Sequence, residues 1–123
     1  MIIGIGVDII EIGRVQKALQ NTRFQERVFA MSEQEYCTQK ANPWESYATI
    51  FAAKEATAKA LGVGFGKELG WLDMEITHTL TGAPQVIFCN KGLELAKKKG
   101  VKTAWVSLSH SKENAIAMVV LEG

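Results

Sequence analysis

Apolar and polar positions alternate at the start of the chain. Over residues 2–10, Ile3, Ile5, Val7 and Ile9 fall on one face, and Gly4, Gly6 and Asp8 on the other. A period of two in isoleucine and valine predicts a buried strand. The period then lengthens. Ile12, Val15 and Leu19 recur at helical spacing over 11–21, and a short second helix follows at 23–30. Ser32 and Glu35 fit a capping box that opens a helix reaching about residue 41. Asn42 and Pro43 form a cap followed by a first-turn proline, and they open the longest helical pattern in the chain, 43–61. Gly62 supplies the positive φ that ends such a helix, and Gly64 and Gly66 continue the connection.

The second half is strand-rich. Residues 73–79 and 85–90 predict two strands joined by the turn Thr81-Gly82-Ala83-Pro84. Residues 91–99 predict a helix stopped by Gly100, with Lys97, Lys98 and Lys99 as a solvated end that complements the helix dipole. Residues 103–110 and 115–122 predict a terminal hairpin around Ser111-Lys112-Glu113-Asn114. Helices in the first half, strands in the second and one strand at the front make an α+β class.

Composition narrows the function. A chain of 123 residues forms one domain, 1–123, with a real core. A formal net charge of +1 removes the global basic field that nucleic-acid binding needs. No stretch is long and apolar enough for a membrane span, and the opening "MIIGIGVDII" lacks a basic leader, so the expected location is cytoplasmic. Cys37 and Cys89 form no CxxC pair and are expected as free thiols. No nucleophile-elbow GxSxG and no Cys-His cluster is present.

Two carboxylates stand at unusual positions. Asp8 shares its strand face with two glycines, which lets a ligand or another backbone approach it; the other reading is a strand-end cap. Glu55 continues the stripe Trp44, Ala48, Phe51, which predicts that it points toward the core. It could pair with Lys59, four residues on. If buried it needs a cation, donors or a metal. Two carboxylates without accompanying His or Cys suit a hard cation such as Mg²⁺, with Lys59 then free for a phosphate. The turn "GVGFG" could direct N–H groups at an anion, although it is not a P-loop and follows a helix. His110, with Ser109, Ser111 and Lys112, makes a polar strand end able to hold a phosphate. His78 has no such company and receives no role.

Taken together, "GIGVDIIEIGRV", "FAAKEATAKALGVG", "TGAPQV" and "SLSHSKENAIAMVV" occur in the order and spacing of one family. Over essentially its whole length the chain resembles the short bacterial, holo-acyl-carrier-protein synthase type of 4′-phosphopantetheinyl transferase. The resemblance implies that family's fold, an antiparallel sheet packed with helices, one of them long and central. It implies transfer of 4′-phosphopantetheine from coenzyme A to a serine of apo acyl carrier protein, releasing adenosine 3′,5′-bisphosphate, in fatty acid biosynthesis. It implies Asp8 and Glu55 as Mg²⁺ ligands and Lys59 as a catalytic partner. Lys54, Lys59, Gly62, Gly64, Ser109, His110 and Ser111 would surround coenzyme A, with His110 and Ser111 near its adenosine and 3′-phosphate. Arg14, Lys17, Arg23 and Arg27 would dock the acidic carrier, with Leu19 adding an apolar contact, and the chain would form a homotrimer with sites between subunits. One departure stands out. The family usually has an arginine where Ile50 stands, and an apolar residue cannot supply that bidentate fork. Lys54 and Lys112 are the candidates to replace it. The competing function is a non-catalytic module that binds coenzyme A or the carrier protein.

Overall fold

The computed structural model describes residues 1–123. Its first sheet has the order β1-β5-β4, built from β1 (Ile2–Glu11), β4 (Thr103–His110) and β5 (Asn114–Glu122). All pairings are antiparallel, with Asp8 opposite Ala117 and Trp105 opposite Val120. The expected terminal hairpin is therefore present, and the front strand completes the sheet by pairing with the last one. Two strands, β2 (Met74–His78) and β3 (Pro84–Phe88), form a second antiparallel ladder. The helices are α1 (Ile12–Ala18), α2 (Thr22–Val28), α3 (Met31–Thr38), α4 (Pro43–Leu61) and α5 (Asn90–Lys98), with a 3₁₀ turn at Trp71–Asp73.

The long helix α4 organises the core. Asn42 accepts a hydrogen bond from the Glu45 N–H, Pro43 lies in the first turn, and Gly62 closes the helix at φ 76°. Alanines and Ile50 on α4 pack against Ala115, Ala117, Val119 and Leu121 of β5 and the bare face of β1. That bare face settles one open question from the sequence, because another backbone approaches it. A Cβ on Gly4 would stand 1.9 Å from the Ala60 carbonyl oxygen, and one on Gly6 would stand 2.0 Å from that of Ala56. Only glycine lets strand and helix come this close.

The alternating apolar face of β1 points the other way. Ile5, Val7 and Ile9 are exposed, as are Ile116 and Met118 of β5 and Trp105 of β4. The expectation of a buried strand therefore holds for one face only within a single chain.

One cap differs from the sequence expectation. The residue that closes the start of α3 is Glu33, whose Oε1 accepts from the Ala30 N–H at 2.8 Å. Ser32 instead hydrogen-bonds Glu75 on β2. The helix begins two residues earlier than Ser32 and Glu35 imply, and Glu33 is also held inward by Lys54.

Candidate active site

Asp8, at the far part of β1, and Glu55, in the fourth turn of α4, line one cleft of about 390 Å³ together with Arg14 and Phe51. The glycines of β1 produce this meeting, since they seat the strand directly on α4. Lys59 does not pair with Glu55 along the helix. Its Nζ lies 3.1 Å from Asp8 Oδ1 and donates also to the Val7 carbonyl at 3.0 Å. The carboxyl of Glu55 titrates above its ordinary value, first because burial disfavours the charged form and then because the Asp8 carboxylate is close; Lys59 opposes the shift. Two carboxylates that repel each other in a partly desolvated cleft are a donor set a cation relieves. No cluster of three or more His, Cys, Asp or Glu accompanies them. That fits Mg²⁺, which takes one or two protein carboxylates and fills its shell with water and phosphate oxygens.

Glu55 is not on the most buried side of α4. It is partly exposed, as are Phe51 and Trp44 on the same stripe, while Ile50, Ala53 and Lys54 are enclosed. The fully buried charge is Lys54. Its Nζ is 2.8 Å from Glu33 Oε1 and donates to the carbonyls of Val28 at 2.6 Å and Trp71 at 3.0 Å. Both side chains of the pair have no exposure. Lys54, expected beside coenzyme A and as a replacement for the usual arginine, is thus enclosed within the chain with its ammonium already engaged. Ile50 itself is fully enclosed in the core. Lys112 sits on the β4–β5 turn and borders a cleft with Asn42 and Trp44.

Gly62 acts as the cap of α4, and Gly64 follows it in the open connection. Ser109 and His110 lie elsewhere, in a second cleft of about 220 Å³ with Tyr36, Glu45, Thr49 and His78. His110 Nδ1 is 3.5 Å from Glu45 Oε2. Ser111 belongs to the hairpin turn, where its Oγ accepts from the Asn114 N–H. Within one chain, Asp8 and Glu55 therefore line one cleft, with Lys59 held on Asp8, and Ser109 and His110 line another.

His78, given no role from the sequence, stacks on Tyr36 with ring centroids 3.8 Å apart and planes at 4°. Its Nδ1 is buried without a hydrogen-bond partner. Burial, helped by the charge of Lys40, lowers its pKa and keeps the ring neutral. Only the pairing of β2 with β3 and their packing beside α3 bring His78 and Tyr36 together, so no local signal could have found them.

Of the basic residues, Arg14, Lys17 and Arg27 border an open cleft of about 740 Å³ with Phe24. Arg23 is exposed but outside it, and Leu19 packs against the core, so the apolar element here is Phe24. Arg14 also borders the Asp8–Glu55 cleft, so one side chain lines both.

Comparison with known proteins adds the chain's relatives. Residues 4–119 match the model of the 4′-phosphopantetheinyl transferase superfamily. A holo-[acyl-carrier-protein] synthase of Alkaliphilus metalliredigens is 44% identical, covering 98% of each chain. One from Chlamydia felis is 46% identical, covering 94% of this chain and 93% of that protein. The crystal structure of the Helicobacter pylori holo-[acyl-carrier-protein] synthase in complex with coenzyme A superposes with a TM-score of 0.85 at 37% identity, covering 96% of this chain and 99% of that one.

Proposed function

The chain belongs to the 4′-phosphopantetheinyl transferase superfamily, and from that premise we propose that it works as a holo-acyl-carrier-protein synthase. It transfers 4′-phosphopantetheine from coenzyme A to a serine of apo acyl carrier protein. The observation that carries this reading is the meeting of Asp8 and Glu55 in one cleft, with the Lys59 ammonium on Asp8. Its place is the cytoplasmic supply of holo carrier protein for fatty acid synthesis. No helix is long and apolar enough to cross a membrane.

Asp8 and Glu55 would hold Mg²⁺. When bound, the ion neutralises charge on the pyrophosphate oxygens of coenzyme A. Lys59 is half-exposed beside Asp8 and stands to donate to a phosphate oxygen of the leaving adenosine 3′,5′-bisphosphate. The carrier serine attacks the β-phosphate, and its proton is taken up within the cleft. Ser109, His110 and Ser111, with Gly62 and Gly64, would form the coenzyme A side of the site.

Asp8 and Glu55 line one cleft of the chain, and Ser109 and His110 line a separate one. A complete site then joins the carboxylates of one subunit to His110 of the next, in a homotrimer. The support is the apolar sheet face, where Ile5 is 64%, Ile9 65% and Trp105 59% exposed. A cluster of exposed apolar side chains on one sheet face is the composition of an interface. The carrier docks on Arg14, Lys17, Arg23 and Arg27. Because Arg14 borders both the basic cleft and the carboxylates, an acidic partner seated there brings its serine beside Asp8 and Glu55.

The test is intact-mass spectrometry of apo acyl carrier protein incubated with this protein, coenzyme A and Mg²⁺. The expected result is a gain of one phosphopantetheine that a chelator abolishes. Binding of coenzyme A without any gain on several carriers would favour the non-catalytic module instead.

A further inference from the structure

The buried pair of Glu33 and Lys54 lines none of the clefts described above, yet Lys54 adjoins Glu55 in sequence. We infer that Lys54 and Glu33 are positioning residues that fix the orientation of Glu55, and that Lys54 is not a ligand to coenzyme A. This rests on the proposed role of Glu55 in holding the metal.

The pair is a junction of five segments. Lys54 comes from α4. Its ammonium is held by Glu33 of α3, by the Val28 carbonyl at the end of α2 and by the Trp71 carbonyl of the 3₁₀ turn. Glu33 in turn accepts from the Ala30 N–H through Oε1 and from the Ile76 N–H of β2 through Oε2, both at 2.8 Å. Every polar atom of the pair is thus engaged, with no solvent at either side chain. A buried polar network satisfied at all its atoms permits one arrangement of the elements it joins.

That arrangement sets the azimuth of α4. Adjacent helical residues point about 100° apart, from 3.6 residues per turn. Locking Lys54 inward therefore turns Glu55 toward β1 and Asp8. A second connection reinforces the first. Trp71, whose carbonyl accepts from Lys54, stacks its ring on Phe51 at 5.1 Å, and Phe51 lies one turn before Glu55 on the wall of the same cleft. The β1 side of the cleft is fixed separately by the glycine contacts with Ala56 and Ala60. The pair thus governs the Glu55 half of the carboxylate geometry.

Two measurements test this. The first uses the unaltered protein: lysines are reductively methylated with and without coenzyme A, and the sites mapped by mass. Lys59 should label, and Lys54 should stay unlabelled in both conditions. Labelling of Lys54 that coenzyme A suppresses would overturn the inference. This measurement does not depend on transfer, so it stands even if the proposed reaction fails. The second compares Lys54→Met with the milder Glu33→Gln. In the folded fraction of either, the Mg²⁺ concentration for half-maximal transfer should rise about 10-fold, the usual effect of losing a partner that orients a metal ligand, while KM for coenzyme A moves less than about twofold. A purely structural role would lower the folded fraction and leave the Mg²⁺ dependence of the remainder unchanged, which would overturn the inference. So would a raised KM for coenzyme A with normal Mg²⁺ dependence, or failure of both variants to fold.

Discussion

Lys59 donates to Asp8 at 3.1 Å, across the junction of strand and helix, and leaves Glu55 on its own helix unpaired. Its ammonium therefore holds one carboxylate in place and, with a second N–H on the Val7 carbonyl, keeps one donor for an incoming phosphate. Lys59→Met should lower kcat about 100-fold, the usual scale for a lost transition-state donor. Stability should change by less than about 1 kcal/mol, because the pair is solvated on the lysine side. Steady-state kinetics beside urea unfolding checks both.

The raised carboxyl of Glu55 predicts a pH dependence. Its folded-state pKa lies above the unfolded value, so the folded state binds the extra proton more tightly. Its contribution to stability is undiminished below the ordinary carboxylate value and falls as pH rises through the window up to the raised value. Metal binding runs the other way, since it needs the ionised form. Apparent Mg²⁺ affinity should weaken as pH falls into that window. Asp8→Asn should move the Glu55 titration down, but not fully to normal, because burial is the larger cause. Carboxyl ¹³C NMR of Glu55 measures this.

Much of the scaffold was legible in the sequence. The cap at Asn42, Pro43 and the stop at Gly62 delimit α4 because each acts through its own backbone neighbours. The glycines of β1 announced a close approach, though not whether by ligand or by backbone. What escaped were contacts made across the fold. Glu33 bonds Ile76 and Lys54 and starts α3 in place of the expected Ser32 cap. The stripe through Phe51 and Glu55 suggested an inward carboxylate. In fact α4 is enclosed nearly all round, and its half-open side is the one that carries Glu55. The pairing of Tyr36 with His78 depends on where a whole hairpin packs.

Gly6→Ala tests the strand–helix contact. A methyl group 2.0 Å from the Ala56 carbonyl oxygen cannot be accommodated without moving α4 or β1. Overpacking of this kind costs about 1–3 kcal/mol. The variant should unfold at lower urea and lose activity beyond that, because Asp8 lies two residues further along the same strand.

The apolar face of the first sheet predicts self-association. Sedimentation of the unaltered protein should give a trimer. Ile5→Asp places a charge in the middle of that face and should give a folded monomer, by circular dichroism, that binds carrier protein but does not transfer.

The most direct test of the account is Glu55→Gln in the intact-mass transfer assay across a range of Mg²⁺ concentrations. The substitution keeps the shape of the side chain and removes the charge that would hold the ion. The account predicts a rate lower by at least about 100-fold at every Mg²⁺ concentration tested, with the fold intact and coenzyme A still bound. Transfer at a near-normal rate with unchanged Mg²⁺ dependence would contradict it.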